Sequence, residues 1–118
     1  MNKPKPYDLE ERTLQYAKGI INLCKKLAKN SINFKLIEQL IRASGSVGAN
    51  YREANESLSK KDFAHRMKIT RKECKESTYW LELLKEANAE FINEINDFIK
   101  ESKELRNIFS AIIDKTKL

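Results

Sequence analysis

Apolar side chains return every third or fourth position in this chain from Leu9 onward, and that spacing places them on one face of an α-helix. Only three glycines and two prolines occur in 118 residues, and both prolines, Pro4 and Pro6, precede the first periodic segment. A β-rich fold needs far more turn-forming residues than these. The sequence therefore predicts an all-α protein.

The periodic pattern divides into four segments, which we predict as helices at about residues 8–29, 33–57, 60–88 and 93–116. Two of them begin with residues that cap a helix, since Asp8 stands three positions before Glu11 and Ser59 three before Asp62. The connections are short, so consecutive helices should pack antiparallel. The prediction is a single domain, an antiparallel up-down-up-down four-helix bundle.

The second segment carries two adjacent apolar stripes rather than one. This width predicts a helix that is buried on more than one side, with its own bundle as one partner and a neighbouring subunit as the candidate second. The stripes consist of Phe34, Ile37, Ile41, Ser44, Gly48 and Tyr51, and of Leu36, Leu40, Ala43, Val47, Ala54 and Leu58.

The same segment contains two glycines, although glycine inside a helix costs about 1 kcal/mol relative to alanine. Small residues four positions apart let a neighbouring helix approach closely, so we interpret the glycines as packing positions. No Gly-Lys-Ser/Thr follows, which disfavours a phosphate-binding P-loop. Polar residues beside the glycines form either a seam between helices or subunits, which we favour, or a ligand site. With Trp80 as a packing or interface anchor, the predicted seam is Arg42, Gly45, Ser46, Gly48, Asn50, Glu53 and Trp80.

The formal net charge is +6, and basic residues are concentrated in one stretch. Seven lysines and arginines but only two acidic residues lie between Lys60 and Lys75. An antiparallel bundle places the start of this stretch at the end that holds both termini, which predicts one basic end with Lys3, Lys5, Arg52, Lys115 and Lys117 as further members. Such a surface attracts RNA or DNA; the alternative is that these charges only solvate a helix face. The predicted phosphate contacts are Lys60, Lys61, Arg66, Lys68, Arg71 and Lys72.

Residues of the kind that enzymes and metal sites use are few. His65 is the only histidine, and no Glu-x-x-His motif is present for a metal site between helices. Cys24 and Cys74 fall on apolar stripes, so we predict buried, reduced thiols. No convergent catalytic set can be assembled, and we predict a non-enzymatic protein without metal or cofactor. No segment reaches the roughly 20 apolar residues of a membrane span, and no signal-peptide pattern is visible, so we expect no membrane partner and a cytoplasmic location.

Several pieces of the chain resemble one bacterial family. They are RASGSVGAN at residues 42–50, Glu53, SKKDF at residues 59–63, and Glu76 with Leu81 and Glu82. These pieces resemble the bacterial four-helix bundle proteins known as the 23S rRNA intervening-sequence protein family, and the resemblance covers nearly the whole chain.

The resemblance implies an up-down-up-down bundle that assembles into a ring-like homopentamer. The chain is also similar to the accessory variability determinant of diversity-generating retroelements, a relative that forms a basic pentameric barrel, binds nucleic acid and works with a reverse transcriptase. Two hypotheses follow. The chain is an oligomeric protein that binds RNA or DNA without sequence preference, with a reverse transcriptase or another protein as a further candidate partner, or it is a protein-interaction scaffold with no nucleic-acid role.

Overall fold

The computed structural model describes residues 8–117, and four α-helices hold most of them. The helices are α1 (Leu9–Lys26), α2 (Ser31–Asn55), α3 (Lys60–Ala87) and α4 (Ile92–Lys115), with a short 3₁₀ turn at Ala89–Phe91 before α4. Residues 8–117 contain no strand, so the predicted all-α, four-helix class is confirmed. No helix in this part of the chain combines the length and the apolar character that a bilayer crossing requires.

Helices α1 and α3 each start where a side chain accepts a backbone N–H group that the helix itself leaves free. Asp8 accepts from the Glu11 amide at 3.3 Å, and Ser59 accepts from the Asp62 amide at 3.0 Å. Both caps agree with the sequence prediction, and Asp62 also lies in the first turn of α3, where the helix dipole favours negative charge.

Asparagine side chains form hydrogen bonds at the end of the bundle that holds the α1–α2 and α3–α4 connections, and the sequence pattern did not predict these bonds. Helix α2 begins at Ser31 rather than at residue 33, because Asn30 caps it by accepting from the Asn33 amide at 2.8 Å. Asn33 is therefore buried, and its side chain exchanges two hydrogen bonds with that of Asn88 at 3.0 and 2.8 Å. This pair joins the first turn of α2 to the C-terminal end of α3.

Contacts between neighbouring helices pair residues in opposite chain order. From α2 to α3, Arg42 contacts Glu76 and the later residue Glu53 contacts the earlier residue Arg66. Neighbouring helices therefore run in opposite directions. The same order joins the other neighbours, in the pairs Glu10–Asn55 and Thr13–Gly48, Arg71–Ser110 and Thr78–Ser102, and Arg12–Glu101 and Lys26–Glu94.

One continuous apolar core lies between the four helices, and most of its large members are fully buried. A few polar side chains enter this core with their hydrogen bonds satisfied, as burial requires. The Tyr16 hydroxyl, for example, lies 2.7 Å from the Ser77 hydroxyl. The fully buried large apolar residues include Ile20, Leu23, Leu40, Val47, Met67, Leu81, Leu84, Ile95, Leu105, Phe109 and Ile113.

The wide apolar surface of α2 is covered only in part within one chain, and a neighbouring subunit as its second partner stays a prediction. Leu40 and Val47 are fully buried, but the side chains of Phe34, Ile41 and Leu58 are 62%, 39% and 99% exposed. Leu58 lies beyond the end of α2, in the turn to α3. Phe34 and Ile41 lie on the flank of α2 toward α1, where Ile21 and Cys24 of α1 line the same groove and leave both side chains partly exposed.

Candidate nucleic-acid interface

Helix α3 carries all six predicted phosphate contacts. One side of this helix is buried in the core, through Met67, Thr70, Cys74, Ser77, Leu81 and Leu84. Because side chains turn by about 100° per residue, the opposite side of α3 faces solvent.

Four lysines occupy the solvent side of α3. Lys61, Lys68, Lys72 and Lys75 are exposed, and steps of seven, four and three residues place them on one helix face. They extend over about 21 Å at the helical rise of 1.5 Å per residue. Within residues 8–117 none of the four forms a salt bridge. We call these four residues the lysine face; Lys60, at the start of α3, is also exposed.

The two arginines of the predicted set have other partners. Arg66 forms a salt bridge of 2.8 Å with Glu53 of α2, and half-buried Arg71 donates to the Ser110 hydroxyl of α4 at 3.3 Å. The structure therefore holds both guanidinium groups against neighbouring helices. Lys75 was not in the predicted set, but it lies on the lysine face. Its position seven residues after Lys68 was the sequence signal that could have indicated this.

Two further members of the predicted basic end, Arg52 and Lys117, lie outside this face and have acidic partners. Arg52 pairs with Glu10 at 3.6 Å, and Lys117 pairs with Asp114 at 3.6 Å. Lys3 and Lys5 lie outside the described residues. Positive charge free of acidic partners is thus arranged along the outer side of α3, and not only around the end that holds the termini.

The predicted polar seam lies between α2 and α3. The Arg42 guanidinium contacts two carboxylates of α3, Glu76 and, at 3.3 Å, Glu73. The hydrogen bond to Glu76 is the main cause that raises the pKa of Arg42. Ion pairs therefore cross this seam within one chain, and the Glu53–Arg66 pair belongs to them.

Two other members of the predicted seam bond within α2 itself. The Asn50 side-chain amide donates to the Ser46 carbonyl at 2.9 Å. Both residues are half-buried, so they line the seam without a side-chain hydrogen bond to α3 among the described residues. Their arrangement brings no group into position for acid–base or nucleophilic chemistry.

The two glycines of α2 have opposite surroundings. A methyl group at Gly48 would lie 3.1 Å from the Thr13 hydroxyl oxygen, so the absence of a side chain there lets α1 approach α2. A methyl group at Gly45 would meet nothing within 4 Å. Packing within the chain thus explains Gly48 and leaves Gly45 without a structural reason.

Trp80 packs half-buried against the core, and the Tyr79 ring lies edge-on to it with centroids 5.1 Å apart. Its Nε1 atom is buried but has no acceptor among the described residues. An indole N–H that is buried without an acceptor costs stability, in the range of about 1 to 3 kcal/mol. Trp80 is a packing residue of the α3 flank in this chain.

The reactive side chains of the described residues are buried or dispersed. Cys24 and Cys74 are free and buried, and burial raises the pKa of the Cys24 thiol to about 11 and that of Cys74 to about 12. Both thiols are therefore protonated near neutral pH. In residues 8–117 no three His, Cys, Asp or Glu side chains are grouped so that they could hold a metal ion.

Comparisons with known proteins agree with this architecture. A crystal structure of a protein of unknown function from the S23 ribosomal protein family of Bacteroides thetaiotaomicron is 33% identical and superposes with a TM-score of 0.80. The match covers 88% of this chain and 96% of that one. A search of curated proteins finds no match. The sequence model of the 23S rRNA-intervening sequence protein family matches residues 6–111. Because this match includes most of the chain, the protein belongs to the 23S rRNA-intervening sequence protein family.

Proposed function

We propose that this chain is a non-enzymatic, self-associating bundle protein that binds RNA or DNA without sequence preference through the lysine face of α3. The observation that carries the proposal is that Lys61, Lys68, Lys72 and Lys75 share one exposed face without an acidic partner in residues 8–117. Unpaired lysine ammonium groups bind phosphates by releasing the counterions of the polyanion. Bases would be contacted little, because His65 is the one exposed ring that lies among the four lysines in residues 8–117.

Self-association multiplies this charge. A homopentamer, which the family resemblance implies, would carry about +30 from five chains of +6. A field of that size attracts a polyanion from solution and favours contacts from several subunits to one strand. The two free thiols suit a reducing compartment, so we propose that this takes place in the cytoplasm.

The direct test is the affinity for labelled single-stranded RNA and DNA oligonucleotides of mixed sequence, measured by fluorescence anisotropy between about 50 and 200 mM salt. Four phosphate contacts per subunit predict that the logarithm of the binding constant falls with the logarithm of the salt concentration with a slope of about −3. Reversing Lys61, Lys68 and Lys72 to Glu should lower the affinity at least about 100-fold at the lowest salt and flatten the slope.

A matched variant tests whether binding depends on the lysine face or only on the net charge of the protein. Lys18, Lys100 and Lys103 are exposed lysines of α1 and α4 with no salt bridge in residues 8–117, and reversing them to Glu changes the net charge equally. We expect this variant to retain most of the affinity. Equal losses in both variants would mean that only overall charge matters, and no binding by the unaltered protein at 50 mM salt would end the proposal.

A protein-interaction scaffold is the second candidate function. The observation that favours it is the exposed apolar pair Phe34 and Ile41 on α2. Exposed apolar groups that lie together on a folded protein are typical of contact sites. A defined protein partner that remains bound after nuclease treatment, together with unchanged binding by the Lys61, Lys68 and Lys72 variant, would favour the scaffold.

A further inference from the structure

A second exposed ring continues the lysine face beyond Lys75. Tyr79 stands four residues after Lys75 and 18 after Lys61, and 18 residues make about five full turns of an α-helix. The ring therefore lies in line with the lysines, about 6 Å along the helix axis from Lys75. Tyr79 is 57% exposed, so it is open to a ligand that lies on this face.

The neighbouring indole holds this ring in place. The rings of Tyr79 and Trp80 meet edge-on, with their planes at 74° and their centroids 5.1 Å apart. Trp80 itself is half-buried and packs against the core. An edge-on contact covers at most one face of the Tyr79 ring. Tyr79 is thus a supported ring with an open face, and little rotamer freedom is lost when a flat ligand stacks on it.

The charge on this side of α3 changes sign at Tyr79. Lys72 and Lys75 precede the ring, whereas Glu82 and Glu86 follow it, and both glutamates are exposed. Neither glutamate forms a salt bridge with another described residue. Phosphates are therefore attracted before the ring and repelled beyond it. The position of the ring suits a flat, neutral group that is attached to an anionic backbone on one side.

An unpaired nucleobase has this chemistry. A duplex keeps both faces of each base stacked except at its two ends, so an aromatic side chain reaches mainly the bases of single strands. Stacking depends little on which base is present, because every base has a π face. We infer that Tyr79 stacks on an unpaired base of a strand whose phosphates lie on the lysine face, which gives single-stranded segments a contact that a duplex lacks. This inference rests on the nucleic-acid binding in the proposed function and adds one base contact to it.

The test compares a labelled single strand of mixed sequence with the same strand annealed to its complement, by fluorescence anisotropy at low salt. Tyr79→Ala should weaken binding of the single strand about tenfold and leave binding of the duplex unchanged. Tyr79→Phe keeps the ring and should bind the single strand as tightly as the unaltered protein does. The salt dependence of the binding constant should be the same in all three proteins, because the ring contacts no phosphate.

Two controls address the position of the ring and the role of the bases. Phe34→Ala removes another exposed ring, on α2 and outside the lysine face, and should leave both affinities unchanged. A single strand of abasic sugar phosphates keeps the charges but offers no base, so the unaltered protein should bind it about tenfold more weakly than the natural strand. The comparison of these two strands needs no variant protein, so it does not depend on how a substitution affects folding.

The outcomes separate this inference from the proposed function. If the unaltered protein binds the single strand and Tyr79→Ala binds it equally well, or loses affinity for single strand and duplex alike, Tyr79 stacks on no base while the lysine face stands. The same conclusion follows if Tyr79→Phe binds as weakly as Tyr79→Ala, or if the abasic strand binds as tightly as the natural one. If the unaltered protein binds neither single strand nor duplex at low salt, both the inference and the proposed function fail.

Discussion

Helix α2 has two flanks, and they differ in how the chain covers them. On the flank toward α3, Arg42 contacts Glu73 and Glu76, and Glu53 contacts Arg66, so ion pairs cross the seam. On the flank toward α1, Phe34 is largely exposed, and a methyl group at Gly45 would meet no neighbouring described residue within 4 Å. Contacts within the chain cover the first flank, whereas apolar side chains of the second flank remain exposed to solvent.

This difference shows what helical periodicity determines. Leu40 and Phe34 both belong to apolar stripes of α2, yet the first is fully buried and the second is 62% exposed. The period of the pattern decides which residues share a face, but the lengths and positions of the other helices decide which face is covered. Substitutions on the two flanks should therefore have different effects on the folding of the single chain.

The largest contrast is expected between Leu40 and Phe34. Leu40→Ala empties part of the closed core and should lower the free energy of unfolding by about 2 to 5 kcal/mol. Phe34→Ala removes an exposed ring and should cost less than about 1 kcal/mol. Urea unfolding at a protein concentration low enough to dissociate any multimer measures both. Equal losses would contradict the view that the groove is open in the single chain.

The two buried thiols should make the free energy of unfolding depend on pH. Burial raises the pKa of Cys24, which lines the groove, to about 11, and that of Cys74, inside the core, to about 12. In the unfolded chain both thiols ionise near pH 8.5, so above this pH the unfolded state releases protons that the folded state keeps. The contribution of the two thiols to stability is therefore constant below about pH 8 and falls as pH rises, by about 1.4 kcal/mol per unit for each thiol until the pH approaches its folded-state pKa.

Urea unfolding measured from pH 7 to 10.5 tests this dependence. Cys24→Ala should lower the slope above pH 9 by the contribution of one thiol, while a serine substitution at half-buried Thr116, which keeps a hydroxyl and adds no titrating group, serves as the control with an unchanged slope. A profile that stays level up to pH 10.5 in the unaltered protein would show that neither thiol is protected by the fold.

Alanine substitutions at the two glycines of α2 should change the free energy of unfolding in opposite directions or by clearly different amounts. Gly45→Ala meets open space and should stabilise the chain by up to about 1 kcal/mol through helix propensity. Gly48→Ala places a methyl group 3.1 Å from the hydroxyl of Thr13, which is buried and donates to the Leu9 carbonyl at 2.6 Å. Thr13 has little freedom to move, so this substitution should gain nothing or destabilise. Thermal unfolding of the two variants measures this difference. Equal stabilisation by both substitutions would contradict the packing role of Gly48.

The smallest effect is expected at Arg42. Its side chain is 48% exposed, and the ion pairs with Glu73 and Glu76 are partly screened by solvent. Arg42→Ala should cost less than about 1 kcal/mol at low salt, and this cost should shrink further at 0.5 M salt. A loss above 2 kcal/mol that persists at high salt would instead show that the aliphatic stem of Arg42 is the main contact on this flank.

The sequence was sufficient for the fold because local signals and the apolar pattern agree along the chain. The caps at Asp8 and Ser59 and the single core stripes of α1 and α3 led directly to the helices that the structure contains. The start of α2 was misplaced because Asn30 and Asn33 both suit a turn, and only the buried pair with Asn88 fixes their roles. Such a pairing joins residues 55 positions apart and leaves no local signal.

The candidate site was predictable only in part, because charge in a sequence does not reveal its partners. The basic stretch from Lys60 to Lys75 led to six predicted phosphate contacts but not to the exposed face on which Lys61, Lys68 and Lys72 lie with Lys75. Nothing local distinguished Arg66 from these lysines, yet Glu53 of the neighbouring helix pairs with it. The exposure of Phe34 was unpredictable for the same reason, since it depends on how α1 packs against α2.

We propose that this protein self-associates and that its lysine face binds a polyanion. The most direct measurement is the molar mass in solution by light scattering, at low salt, with and without a short single-stranded RNA. We expect a multimer whose mass rises when RNA is added, and a variant with Lys61, Lys68 and Lys72 reversed to Glu that remains a multimer but ignores RNA. A monomer whose mass is unchanged by RNA would contradict the account.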